Sequence, residues 1–258
     1  AYEKIGTGPP LVLVDGALCG RTFGPSAALA PLLADAYTVA YYDRRGRGDS
    51  DDKGSYSVDR EIDDLVAVVD ALGGHACLYG TSSGAALALR AVGSGRVVAD
   101  KLVLHEPPFA LDGTHTPSPP DFREQIAAFI KSDKRSEAAS LFLRVVGVPA
   151  PGVFFMKHLI PGVWPKMKAA AHTLPYDFAI LGDTQSGGAL PQDFASAASS
   201  IKVPTLVVVG GKSPPWMHHA VTEVASRIAG ARERELPGQQ HNVAAKAIAP
   251  ALREFFAG

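Results

Sequence analysis

The chain has 258 residues, 47% of them apolar, enough for a sizeable core in one large α/β domain with an insertion or in two small domains. Lys and Arg total 25 against 26 for Asp and Glu; that balance leaves no electrostatic footprint for nucleic acid, and no basic amphipathic helix stands out for a membrane surface. Two cysteines, Cys19 and Cys77, give no disulfide framework and suit a reducing, cytoplasmic setting, and no apolar run approaches the roughly 18 residues that span a bilayer.

No charged-then-apolar leader opens the chain, which starts at Ala1 rather than Met and is open to having been trimmed. The N-terminal part alternates strand and helix. "LVLV" (Leu11 to Val14) is a short apolar run closed by Asp15-Gly16. "YTVAYYD" (Tyr37 to Asp43) is β-branched and aromatic and stops at a glycine-rich loop. From Ser57 to Leu72 the apolar residues Ile62, Leu65, Val66, Val69 and Leu72 recur at helical spacing. Ser57 can cap that helix and Gly73-Gly74 can end it. "ACLYG" reads as a strand, "ALALRAV" as a helix and "KLVLH" (Lys101 to His105) as a strand. Continuous apolar strands alternating with helices imply a mostly parallel, doubly wound sheet covered on both faces.

The rhythm breaks after Glu106. "PPFALDGTHTPSPP" is proline-rich and polar, a linker rather than a core element. Helical stretches follow near Phe122 to Lys131 and Glu137 to Val146, then proline- and aromatic-rich pieces. The α/β pattern returns with "VPTLVVVGG" (Val203 to Gly211), a helix carrying Val221, Val224, Ala225 and Ile228, a last strand at "RERELPG" and a closing helix at "AIAPALREFF". The simplest architecture is an α/β core over residues 1–106 and 196–258, interrupted by a helical insertion over 107–195.

Gly80-Thr81-Ser82-Ser83-Gly84 has the spacing G-x-S-x-G, which selects Ser82 of the two adjacent serines. Alone, the pattern also fits a serine-rich turn without chemistry. Between a strand and a helix of a parallel sheet it points to a nucleophile elbow, a strained turn that exposes the hydroxyl above the sheet. Gly80 and Gly84 remove side chains that would clash there, and Ser83 contributes its backbone N–H at the helix N-terminus. A base belongs far downstream. Of the eight histidines, His241 in "ELPGQQHNV" combines a post-strand loop with a late position, although a lone loop histidine can be merely solvated. No H-E-x-x-H and no Cys/His ligand spacing appears, which argues against a metal, and nothing calls for a cofactor.

With "VDGALCG", "YDRRGRGDS", "GTSSG", "VPTLVVVGGKS" and "PGQQHNV" together, nearly the whole chain resembles the α/β-hydrolase fold superfamily. The resemblance implies Ser82 as nucleophile, His241 as base, the insertion as a helical lid, and the N–H groups of Ala17 and Ser83 as the oxyanion hole. Two positions depart from it. Asp15 stands where many relatives have His, and a carboxylate aimed into an oxyanion hole would oppose the charge developing there. Asp15 is therefore expected to point away and accept loop hydrogen bonds, with a role in acid–base chemistry or substrate orientation as the lesser reading. Ser213 stands where the triad acid is usual, and a serine cannot stabilise an imidazolium. Glu106, directly after "KLVLH", fills the gap by analogy with certain haloalkane dehalogenases, although it could simply pin the "EPPF" turn. Glu223, Asp177 and Asp183 read as solvated or as lid structure.

"DRRGRGDS" reads as a structural loop, with Asp43, Arg44, Arg45 and Arg47 in local hydrogen bonds. Phe155, Met156 and Trp164 of the lid, with Trp216, are candidates to line an apolar substrate pocket. The expected function is a serine hydrolase that cleaves an ester, thioester or lactone of an uncharged or apolar small molecule through an acyl-enzyme. A non-ester reaction on the same fold (carbon–carbon hydrolysis, a cofactor-free lyase, perhydrolase-like chemistry) and a non-catalytic ligand-binding member are the alternatives. Dehalogenase and epoxide hydrolase chemistry are disfavoured, since by resemblance they use Asp at the elbow.

Overall fold

A computed structural model describes residues 1–111, 113, 115 and 118–258. The apolar runs become strands β2 (Pro10–Val14), β3 (Thr38–Tyr42), β4 (Ala76–Thr81), β5 (Ala99–His105) and β6 (Thr205–Gly210). With β1 (Tyr2–Ile5) and β7 (Arg232–Leu236) they form a seven-stranded sheet of order β1-β3-β2-β4-β5-β6-β7. All neighbours are parallel except β1, which runs antiparallel to β3 in the register Tyr2 opposite Tyr42. β1 has no counterpart among the expected strands: as an edge strand with Tyr2, Glu3 and Lys4 exposed, it carries no apolar run.

The pleat sends alternate residues to two cores. Val12 and Val14 of β2 join a cluster that takes in Ile62 and Leu65 of α2 (Val58–Asp70), Ala85 to Val92 of α3 (Ser83–Gly93), Phe194 of α9 (Gln192–Ser200) and Val221 of α10 (Pro215–Arg227). Leu11 and Leu13 join the opposite cluster, with Leu29 of α1 (Pro25–Leu29) and Leu252 and Phe255 of α11 (Ala245–Ala257). Helices thus cover both faces, as a parallel sheet requires. Ser57 caps α2, its hydroxyl accepting from Arg60 N–H at 3.3 Å.

Among the described residues, six α-helices stand between β5 and β6: α4 (Phe122–Lys131), α5 (Arg135–Val145), α6 (Ala150–His158), α7 (Val163–Ala170), α8 (Leu174–Leu181) and α9. Helices α4 to α8 bury a third cluster that contains Phe122, Ile126, Leu143, Trp164 and Phe178, and that reaches the core at Leu18. The expected boundary after residue 195 falls inside α9, whose Phe194 and Ala198 both belong to a sheet cluster.

Candidate active site

Strand β4 ends at Thr81 and α3 begins at Ser83, leaving Ser82 to make the whole turn. It does so with φ 56° and ψ −129°, a conformation that costs a non-glycine residue about 1–3 kcal/mol and persists only when its surroundings enforce it. The surroundings are visible. Ser82 N–H donates to His105 O at 2.9 Å, tying the turn to β5. A Cβ on Gly84 would lie 2.2 Å from Val14 O, one on Gly80 2.6 Å from Gly84 O, and one on Gly16 2.8 Å from Ser82 Cβ. Only glycine lets β4, α3 and the loop after β2 approach so closely. Ser82 is half-buried, whereas Ser83 is buried and its hydroxyl donates to Asp177 Oδ1 at 2.7 Å.

Glu106 follows β5 with φ 45°, its N–H donating to Val208 O of β6 at 3.0 Å. Its fully buried carboxylate accepts from three groups. Oε1 takes Gly210 N–H at 2.7 Å and Ser213 Oγ–H at 2.5 Å, and Oε2 lies 2.6 Å from His241 Nδ1. Burial pushes the carboxyl up, but the hydrogen bonds from His241, Ser213 and Gly210 outweigh it and hold the group below the usual 4.5. An ionised carboxylate can only accept, so Nδ1 is the donor in this contact, and in the neutral ring that tautomer leaves the lone pair on Nε2. Ser213, absent from the expected site residues, donates to Glu106. The GGKS turn after β6 is its sequence signal.

His105 was also not expected at the site. Its ring lies 6.2 Å from that of His241 with planes 21° apart, and its Nδ1 is 3.0 Å from Thr81 Oγ1. Burial pushes it down to about 4, so it stays neutral beside Glu106. The Asp15 carboxylate is held by Ser26 of α1. Its Oδ1 accepts from Ser26 Oγ–H at 2.6 Å and Ser26 N–H at 3.2 Å, and burial pushes its carboxyl up to about 6.

Two expectations need correction. The DRRGRGDS arginines are not in local bonds. Arg44 Nε donates to Glu61 Oε1 at 2.5 Å, and both Arg44 and Arg47 reach Asp177, 133 and 130 residues away. Only Asp43 behaves locally, accepting from Asp49 N–H, and it also holds Arg21. Nor do the four pocket candidates share one environment. Trp164 is buried in the third cluster, with Nε1–H donating to Ser136 Oγ, and Met156 packs against that cluster. Phe155 is 52% exposed, and Trp216 stands on α10 with its ring edge-on to His115. Short helices with apolar residues on several sides give no periodicity from which to tell core from pocket. Among the described residues, no group of three or more His, Cys, Asp or Glu is placed to hold a metal ion, and no helix is long and apolar enough to cross a membrane.

A parallel sheet with a strained serine turn after β4, and after the neighbouring β5 a buried glutamate that holds a histidine from the loop after β7, has a hydrolase-type frame. Residues 11–250 match the profile of the Alpha/beta hydrolase family, and the chain belongs to that family. It is similar to an alpha/beta hydrolase from Sphaerobacter thermophilus DSM 20745, at 46% identity over 99% of this chain and 95% of that one, with a TM-score of 0.90. More distant matches in fold are a bromoperoxidase from Bacillus anthracis (20% identity, TM-score 0.73, 100% and 95% covered) and the enol-lactonase from Burkholderia xenovorans LB400 (21%, 0.71, 100% and 96%).

Proposed function

We propose that this hydrolase is a serine enzyme acting on an ester, thioester or lactone of an uncharged or apolar small molecule. The observation that carries the reading is the Glu106–His241 contact of 2.6 Å, made by a carboxylate with three donors beside the strained Ser82 turn. Ser82 Oγ attacks the carbonyl carbon while His241 Nε2 takes its proton. Glu106 keeps the ring in the productive tautomer and stabilises the imidazolium. The N–H groups of Ala17 and Ser83 receive the oxyanion, each such donor contributing about 3 kcal/mol to the transition state. The imidazolium then protonates the leaving alcohol or thiol, and His241 activates the water that opens the acyl-enzyme. The enol-lactonase is an ester-cleaving precedent on this fold.

A fluorophosphonate probe tests the reading. The expected result is one adduct, on the peptide that contains Ser82, lost in Ser82→Ala. A folded protein that takes no phosphonate at Ser82 overturns it.

A further inference from the structure

Four ionisable side chains, Arg44, Arg47, Glu61 and Asp177, are buried together behind the elbow, each at most 2% exposed, with two charges of each sign. Three belong to the sheet domain. Asp177 comes from α8, in the helical segment between β5 and β6. Its Oδ1 accepts from Arg44 Nη1 at 2.8 Å and Ser83 Oγ–H at 2.7 Å, and its Oδ2 accepts from Arg47 Nη2 at 2.7 Å. The guanidiniums go on to the loop after β2. Arg47 Nη1 donates to Gly16 O at 2.6 Å and Cys19 O at 3.3 Å, and Arg44 Nη1 to Asp15 O at 3.2 Å. Arg47 Nε also donates to Thr173 Oγ1, just before α8, at 3.0 Å.

The bond to Gly16 O has a directional consequence. That carbonyl shares a trans peptide plane with Ala17 N–H, and the two point in opposite directions. An arginine holding Gly16 O on one side aims Ala17 N–H to the other. Asp177 holds that arginine, and it holds the side chain of Ser83, whose N–H is the second proposed oxyanion donor.

We infer that Asp177 is a positioning residue: through Arg47 and Ser83 it sets both oxyanion donors, so docking of α8 on the sheet domain assembles the oxyanion hole. The inference rests on the serine hydrolase reading for its catalytic consequence and on the hydrogen bonds alone for the clamp. A neutral residue at 177 takes from Arg47 its carboxylate partner and leaves Arg44 bonded to Glu61, and the loop loses its fixed anchor.

The test uses Asp177→Asn and Arg47→Lys; the second keeps the charge but loses the fork that spans Asp177 and Gly16 O, and carries the test if the first does not fold. Hydrogen exchange reads the clamp directly: in the folded variants, amides 16–20 exchange at least ten-fold faster while those of β4 and β5 are unchanged. With a 4-nitrophenyl ester, kcat falls ten-fold or more with KM within three-fold and the pH profile unmoved. The Ki of an alkyl trifluoromethyl ketone rises in step with the fall in kcat. That inhibitor bonds its carbonyl carbon to Ser82 Oγ, passes the serine proton to His241 and leaves its oxygen as the anion in the hole, so only a transition-state defect moves it so. Unchanged exchange in 16–20 overturns the clamp whatever the activity. Faster exchange with kcat and Ki unmoved overturns its catalytic role. Lack of phosphonate labelling in the unmodified protein overturns the serine reading instead, a result separate from both.

Discussion

Glu106 and Asp15 are both buried carboxylates, and their surroundings push them in opposite directions. Glu106 has three donors and is held below 4.5; Asp15 has the hydroxyl and N–H of Ser26 alone and is raised from 3.8 to about 6. In Glu106→Gln the amide turns its NH2 toward His241 while its oxygen keeps Gly210 and Ser213. Nδ1 must then accept, which puts the proton on Nε2, where it blocks deprotonation of Ser82. Ester turnover at pH 7.5 is expected to fall about 10³- to 10⁴-fold, whereas Ser213→Ala, which removes one donor of three, costs about ten-fold or less. Equal losses in the two variants would show that Glu106 is not the acid. For Asp15 the sign is the reverse of the usual carboxylate case. Its folded value lies above the unfolded one, so its stabilising contribution is complete below about 3.8 and is lost as pH rises through about 6. Asp15→Asn keeps an acceptor for Ser26 but does not titrate. Its stability relative to wild type, from urea midpoints, should therefore climb between pH 4 and pH 7 by at most about 3 kcal/mol, at 1.4 kcal/mol per unit. A flat difference would mean that Asp15 is not strained by burial.

At the scale of elements, what the sequence made readable was what periodicity and chain order encode. The strands at 11–14, 38–42, 76–81 and 205–210 are continuous apolar runs, and α2 shows both its apolar stripe and its cap. Glu106 could be picked out because it directly follows a strand that neighbours the elbow's strand in a parallel sheet, and β5 does pair with both β4 and β6. What escaped has no such code. β1 is polar and gains its place by pairing with β3. The carboxylate that Arg44 and Arg47 share lies more than 120 residues away on a helix whose aspartate looks, in sequence, like any other polar position. His105 reads as the last residue of an apolar strand, and only the fold brings its ring beside His241. Helix α6 is apolar on most of its turns, with Val153 buried and Phe154 and Phe155 exposed, so its inward face was not legible.

Over the whole molecule, three apolar clusters share the load unequally. Two lie on opposite faces of the sheet and are fixed by strands that belong to both. The third lies in α4 to α8; it meets the sheet domain at Leu18 and the charges around Asp177, and α8 also gives Ile180 and Leu181 to the first sheet cluster. Buried ion pairs are weak net contributors to stability but costly to break singly, so they favour one docked arrangement more than they add to its depth. The helical segment should therefore have its own opening equilibrium, shallower than global unfolding. Trp164 tests this. It is 7% exposed at the centre of the third cluster, and its indole N–H donates to Ser136 Oγ at 3.2 Å. Trp164→Ala removes about 3–5 kcal/mol of packing there and touches neither sheet cluster. In native-state hydrogen exchange, amides of α4 to α7 should lose protection by that amount, and amides of β2 to β6 by far less. If every amide lost the same protection, the segment and the sheet would unfold as one unit, and the docking of α8 could not act as a separate step in assembling the site.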